Sequence, residues 1–138
     1  MKQVVGERAF IDVTALDLRN ATVDDVAFET IKSMRHLESL VADGVKVSEP
    51  SLRTVAACRR LKTLSLRYTN CNDETMKDVC QLSNLQELHL TGTRISDVSV
   101  DNMKALSQLQ SAFVRWTDMS EAGAAQLNLA LPNCTVHY

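Results

Sequence analysis

The most informative stretch of this sequence is Leu85-Gln86-Glu87-Leu88-His89-Leu90-Thr91-Gly92-Thr93-Arg94-Ile95-Ser96-Asp97. Its leucines alternate with other residues, which is the period of a β-strand that buries one face. Small turn residues follow, and then a serine beside an acid, a pair typical of a helix start. The stretch therefore predicts a short strand, a turn and a helix N-terminus.

The same pattern occurs five times at a constant period of 24 residues. If the first residue of each copy is place one, the copies begin at Val13, Leu37, Leu61, Leu85 and Leu109. Places four and six are apolar throughout, which predicts a strand at about places three to six. Apolar residues at places sixteen, nineteen and twenty-two follow in steps of three, which indicates one buried helix face. Such regular repetition predicts a stacked array.

Each predicted helix has its own start signal. Place twelve holds side chains that accept hydrogen bonds from the free N–H groups of a helix: Asp24, Ser48, Asn72, Ser96 and Ser120. Place thirteen is always acidic, as Asp25, Glu49, Asp73, Asp97 and Glu121. One acid per helix suits the positive end of each helix dipole, so we interpret this row as helix stabilisation and not as a metal site.

The pattern L-x-x-L-x-L-x-x-T-x-I-S-D resembles the leucine-rich repeat family, in its short form with a helix on the outer side. It is similar to bacterial leucine-rich repeat proteins and to the cysteine-containing repeats associated with F-box proteins. The resemblance covers residues 9–138. It implies an α/β fold, a right-handed βα solenoid or horseshoe, with a parallel sheet on the concave face and helices on the convex face.

The repeat boundaries predict the domain organisation. We expect one leucine-rich repeat domain over residues 1–138. Within it we expect an N-terminal cap or partial repeat over 1–12, five repeats over 13–132 and a closing strand over 133–138.

The chain departs from the family pattern at place nine, where many members carry a buried asparagine or cysteine. Here the residues are Ala21, Val45, Thr69, Thr93 and Thr117. We expect the threonines to hydrogen-bond neighbouring backbone and to form a short ladder. Because alanine and valine lack a hydroxyl, we expect the first two repeats to close this turn less tightly.

The outward side of the predicted sheet collects the candidate binding residues. Places three, five and seven point out of the concave face, and place eight lies at its rim. Tyrosine, tryptophan and arginine are enriched at binding hot spots. We therefore predict a partner-binding site made of Arg67, Tyr68, His89, Phe113, Arg115 and Trp116. Strand spacing places His89 next to Phe113, and Tyr68 about 10 Å from Trp116.

Phe113 is the most telling of these residues. An outward phenylalanine stays in contact with water unless a partner or another part of the chain covers it. The alternative is that Phe113 and Trp116 pack on one another or under the C-terminal tail. The arginines, with Arg94 nearby, favour an acidic or phosphorylated partner. Three acids oppose this preference: Glu38, Asp43 and Glu87.

Composition and motifs argue against other classes of protein. Fifteen Lys and Arg against seventeen Asp and Glu give a formal net charge of -2, so nucleic acid is not a predicted partner. No apolar run approaches the roughly 20 residues of a membrane span. The start of the chain lacks the apolar stretch of a signal peptide. Four cysteines without a C-x-x-C pair indicate free thiols, and we predict a cytoplasmic location.

The sequence gives little support for an enzyme. Cys58 and Cys71 occupy inward places, whereas Cys80 is expected to be more exposed but has no histidine near it. The three histidines are scattered across the repeats, which does not support a zinc site. Phosphate-binding, dinucleotide-binding and H-E-x-x-H motifs do not occur. We predict no enzyme activity, no catalytic residue, no cofactor and no metal.

The sequence favours a protein–protein interaction module, a scaffold or adaptor that binds a partner protein or peptide through the concave face. The alternative is a substrate-recognition or assembly subunit of a larger complex, similar to the repeat part of F-box adaptors. A third possibility is a structural subunit held at its terminal edges. In that case the edge strand predicted near Cys134 pairs with another chain or domain. The alternative is that this C-terminal tail itself caps the array.

Overall fold

A parallel sheet in chain order forms the frame of the molecule. The computed structural model describes residues 13–19 and 25–138. Its strands are β1 (Ala15–Asp17), β2 (Ser39–Val41), β3 (Thr63–Ser65), β4 (Glu87–His89), β5 (Ser111–Phe113) and β6 (Thr135–His137). Each strand pairs with the next at an offset of 24 residues, from Leu16 opposite Leu40 to Ala112 opposite Val136. The predicted period and strands are confirmed, whereas the cap or partial repeat expected over 1–12 lies outside the described residues.

A helical segment follows each of β1 to β5. The segments are α1 (Asp25–Ile31), α2 (Glu49–Ala56), α3 (Asp73–Val79), a 3₁₀ turn (Asp97–Ser99) that continues into α4 (Val100–Met103), and α5 (Glu121–Ala130). Predicted caps are present where the chain is described: the side chains of Ser48, Asn72, Ser96 and Ser120 accept backbone N–H hydrogen bonds. Asp24 and the side chain of Asp25 lie outside the described residues.

The fourth repeat has the shortest α-helix. Its segment contains Val98, Ser99, Val100, Asp101 and Asn102, all residues of modest helix propensity. The chain therefore makes a 3₁₀ turn first and only a single α-helical turn afterwards.

The core lies between the strands and the helices. Leu40, Leu64, Leu88 and Ala112, at place four, are fully buried. Place sixteen, the first apolar place of each helix, is buried in all five repeats, as Phe28, Leu52, Met76, Val100 and Ala124. Leu16 and Leu18 in the first repeat are only half-buried. Ala130 is exposed because α5 ends there, and Leu131 is buried instead.

The turns at place nine close within each repeat. Thr69, Thr93 and Thr117 each donate their hydroxyl hydrogen to the place-six carbonyl of the same repeat at 2.7 Å, which confirms the predicted hydrogen bonds to neighbouring backbone. These bonds lie within single repeats and do not link one threonine to the next. In the second repeat the N–H of Val45 donates to the carbonyl of Ala42 at 3.2 Å, against 3.3 Å and 3.1 Å for the equivalent bonds of Thr69 and Thr93. This turn is closed by one hydrogen bond, whereas the turns at Thr69 and Thr93 have a second one from the hydroxyl. Ala21 lies outside the described residues.

Two of the acids at place thirteen connect neighbouring repeats. Asp73 accepts hydrogen bonds from the N–H of Ser96 at 2.9 Å and from its hydroxyl at 2.6 Å, and it also accepts the hydroxyl of Ser99. Asp97 accepts the N–H and hydroxyl of Ser120 at 2.8 and 2.6 Å. Besides facing its own helix dipole, each of these carboxylates therefore holds the helix start of the next repeat.

Candidate functional site

Place eight, where the chain leaves each strand, has an unusual backbone. The φ angle is positive at all four described copies: Gly44 (73°), Tyr68 (57°), Gly92 (74°) and Trp116 (56°). Such a conformation suits glycine but costs a residue with a bulky side chain about 1 kcal/mol or more. The repeat geometry imposes this conformation, and two copies nevertheless carry a large aromatic residue.

Tyr68 and Trp116 meet across the glycine between them, and we call them the rim pair. Their ring centroids lie 6.3 Å apart with an interplanar angle of 36°. A Cβ atom on Gly92 would overlap with Cδ1 of Tyr68, so the tyrosine ring rests directly on this glycine. The predicted 10 Å separation is wrong for the rings because both reach over the intervening strand. Tyr68 remains 57% exposed and Trp116 76% exposed.

Phe113 lies in the middle of a stack of three rings, which we call the central stack. Its centroid is 4.4 Å from that of His89 and 4.3 Å from that of His137, with interplanar angles of 4° and 6°. The predicted contact between His89 and Phe113 is confirmed. Because His137 in β6 covers the second face, Phe113 is half-buried by its own chain. The tail alternative thus applies to Phe113, whereas Trp116 pairs with Tyr68.

Polar contacts hold His89 in the open face of the sheet, the side away from the helices. Nη2 of Arg67 donates to Nδ1 of His89 at 2.7 Å, and Nε2 of His89 lies 3.3 Å from Oε1 of Glu87. A guanidinium only donates, so Nδ1 accepts and Nε2 carries the proton. Burial lowers the pKa of His89, the Arg67 charge lowers it further, and Glu87 opposes both. The imidazole is therefore neutral at pH 7 and serves as a fixed acceptor for Arg67.

The acids that oppose an anionic partner are already engaged. Asp43 accepts the hydroxyl of Ser65 and the N–H of Arg67. Glu38 forms an ion pair with Lys62 at 2.8 Å. Glu87 faces His89, as described above.

Two arginines beside the rim pair have no such partner. Arg94 and Arg115 are exposed, and their side chains make no hydrogen bond or ion pair within residues 13–19 and 25–138. Arg115 directly precedes Trp116, and Arg94 follows Gly92 by two residues. The rim pair is therefore flanked by cationic groups that are free to bind.

The cysteines are built into the core. All four are free and buried. Burial raises the pKa of Cys58 and Cys71 to about 11 and that of Cys80 to about 12. The expectation that Cys80 is more exposed is wrong, because this cap residue of α3 belongs to the hydrophobic core. A protonated thiol is a poor nucleophile, so these residues act in packing.

Two further features are absent from the described part of the chain. It contains no group of three or more His, Cys, Asp or Glu residues placed to hold a metal ion. None of its helices is both long enough and apolar enough to cross a membrane.

Solved structures share this architecture. Internalin C2 from Listeria monocytogenes superposes with a TM-score of 0.71 at 22% identity, over 90% of this chain and 50% of that one. The chain has the leucine-rich repeat fold. A leucine-rich repeat protein of Leptospira interrogans gives a TM-score of 0.62 at 19% identity, over 80% of this chain and 27% of that one. The ectodomain of the receptor kinase SOBIR1 from Arabidopsis thaliana gives 0.58 at 17% identity, over 89% and 66%.

This leucine-rich repeat chain spans about half the length of the internalin C2 chain. No protein-family model matches its sequence, and no curated protein matches it either. The comparisons with solved structures therefore establish its fold.

Two features of the leucine-rich repeat array escaped the sequence analysis although signals for both were present. Gly44 and Gly92 occupy place eight in alternate copies, which signals a left-handed backbone at that place. His137 occupies place five of a sixth copy, next to Phe113 in register. Extending the period by one strand identifies it as the third ring of the central stack.

Proposed function

We propose that this array is a protein-interaction module that binds a partner protein or peptide through the open face of its sheet and the adjoining rim. The proposed contacts are Arg67, Tyr68, His89, Phe113, Arg115 and Trp116. The supporting observation is the rim pair, two large exposed aromatic residues at backbone positions that favour glycine. Backbone strain and the exposure of apolar side chains both lower stability. Two residues that combine them therefore point to a functional role.

The two aromatic groups have different roles in this proposal. The rim pair supplies the exposed anchors that pack against an apolar group of the partner. The central stack, with Arg67 locked on His89, supplies a rigid floor. Because these floor side chains are already ordered, binding them requires little loss of conformational entropy.

The test is a comparison of wild type with the double variant Tyr68→Gly, Trp116→Gly. Glycine is chosen over alanine because the chain itself uses glycine at this place, so the fold is retained and the strain is removed. A partner isolated with the wild-type protein should bind the purified variant about 30-fold more weakly, which corresponds to about 2 kcal/mol. Titration calorimetry measures this difference.

A matched control removes exposed apolar side chains from the other side of the array. Val98 and Leu129 are 68% and 84% exposed and lie in the helical segments. The variant Val98→Ala, Leu129→Ala should bind with wild-type affinity. If the rim variant also binds like wild type, the proposed site is wrong.

The same proposal assigns the module a scaffold or adaptor role in the cytoplasm, without catalysis. High thiol pKa values at Cys58, Cys71 and Cys80 suit structural cysteines, and four free thiols suit a reducing compartment. Cell fractionation with labelling of reduced thiols tests the location. Recovery in a secreted fraction would contradict it.

A further inference from the structure

We infer that the partner segment bound at the rim is an acidic peptide in which aspartate or glutamate residues flank a large apolar side chain. This inference rests on the proposed function and adds the chemistry of the partner. It combines the charge of the rim, the availability of its arginines and the shape of the rim pair.

The rim has the opposite charge to the chain as a whole. Places seven to ten of the second to fifth repeats are residues 43–46, 67–70, 91–94 and 115–118. They carry four cationic and two acidic side chains, namely Lys46, Arg67, Arg94 and Arg115 against Asp43 and Asp118. This is a formal excess of two positive charges in a chain whose formal net charge is -2. An acidic segment is therefore attracted to this edge more than to the rest of the molecule.

The internal contacts leave the two arginines beside the rim pair available to a partner. Asp43 is occupied by Ser65 and Arg67, whereas Arg94 and Arg115 are exposed and unpaired among the described residues. Asp118, also exposed, lies two residues beyond Trp116. A free guanidinium binds a carboxylate through two parallel charge-assisted hydrogen bonds, which favours carboxylate side chains on the partner.

The rim pair determines which kind of side chain lies between the carboxylates of the partner peptide. Its two rings are tilted against each other and largely exposed. An apolar side chain laid on them is removed from water together with the ring surfaces, which stabilises the complex. The acidic residues then lie on either side, within reach of Arg94 and Arg115.

The test is a selection of short random unphosphorylated peptides displayed on phage against the whole chain. Enriched peptides should carry Asp or Glu on both sides of a large apolar residue. A synthetic enriched peptide should bind at least about tenfold more weakly to Arg94→Gln, Arg115→Gln, because two guanidinium–carboxylate pairs are lost. Its affinity for wild type should also fall as salt is added. The control Arg35→Gln, Arg53→Gln removes the same charge away from the rim and should bind like wild type.

The other outcomes separate this inference from the proposed function. Peptides without acidic residues that still need the rim pair would overturn the inference and leave the proposed function intact. Peptides that bind equally well to Tyr68→Gly, Trp116→Gly would contradict the rim site itself. Binding that requires phosphoserine in place of the acids, or no enrichment of any peptide, would overturn the acidic-peptide inference.

Discussion

Place eight holds glycine in two repeats and an aromatic residue in two others, on the same left-handed backbone. Parallel pairing at a fixed offset repeats the path of the chain, so the conformation is set by the register and the residue must accept it. Glycine accepts it without strain. Tyr68 and Trp116 do so at a cost in stability, and Gly92 leaves the room in which the tyrosine ring lies.

Substitution of Gly92 tests this arrangement. Gly92→Ala should lower the free energy of unfolding by about 1 kcal/mol through the left-handed backbone, and the new Cβ should also displace the exposed Tyr68 ring. Gly44→Ala is the matched control, since its φ is 73° and no atom lies within 4 Å of the added Cβ. Urea unfolding gives the energies, and proton NMR contacts between Tyr68 and Trp116 report the ring. Persistence of those ring contacts in Gly92→Ala would contradict the close packing.

His89 predicts a dependence on pH. Its pKa in the folded protein is lowered by burial and by Arg67, so below about pH 6.5 the unfolded chain binds a proton that the folded chain resists. Stability should therefore fall as the pH decreases from about 7.5 to 5.5, above the range in which most carboxyl groups titrate. His89→Gln should show a smaller fall over this range in urea unfolding. Equal slopes for the two proteins would contradict the role of His89.

At the scale of the secondary structure elements, the helix starts are connected from one repeat to the next. Partial burial raises the pKa of Asp73, but hydrogen bonds from Ser96 and Ser99 outweigh it and hold that pKa below its usual value. Hydrogen bonds from Ser120 lower the pKa of Asp97 in the same way. Asp73 and Asp97 thus connect the helix starts of neighbouring repeats, which supports the structural interpretation of these two acids.

Asp73→Asn tests this bond between repeats. Asparagine keeps one acceptor but loses the charge and the second acceptor, so the free energy of unfolding should fall by about 1 to 2 kcal/mol. Because the folded pKa of Asp73 is lowered, its contribution is present above about pH 4 and is lost as the pH falls through the folded value. The variant should therefore be less sensitive to acid.

The control for that experiment is Asp101→Asn, which removes an exposed acid paired with Lys104 inside one repeat. An exposed pair of this kind contributes less than about 1 kcal/mol. If denaturant titrations give the two variants equal losses in the free energy of unfolding, the hydrogen bonds of Asp73 to the next repeat add no stability.

At the scale of the whole molecule, the place-four leucines form one continuous row through the core. Leu88→Ala should lower the free energy of unfolding by about 3 kcal/mol, because a fully buried leucine leaves a cavity between two neighbouring repeats. Leu16→Ala changes the same place where the side chain is only half-buried, and it should cost clearly less. Urea unfolding of both variants measures the difference between these two losses in the free energy of unfolding. A similar loss at both positions would contradict the unequal burial.

The periodic features of the fold were predictable because they repeat. Five copies of the same spacing identify strands, buried faces and caps such as Ser48 and Asn72. The ring contacts were less predictable, since strand spacing gives the distance between backbones and not the reach of side chains. Tyr68 and Trp116 therefore lie closer than expected, and His137 covers Phe113 from the closing strand, whose outward residue was not among the predicted contacts.

The left-handed backbone positions at place eight also separate recognition of a partner from stability of the fold, two requirements that compete in most proteins. Their side chains project from the rim without entering the core, so changing them alters what the surface recognises while the interior packing stays the same. Each of these positions accepts glycine by default and larger residues at a small, local cost. New specificities can therefore arise by exchange at these positions, one repeat at a time, without a new fold having to evolve.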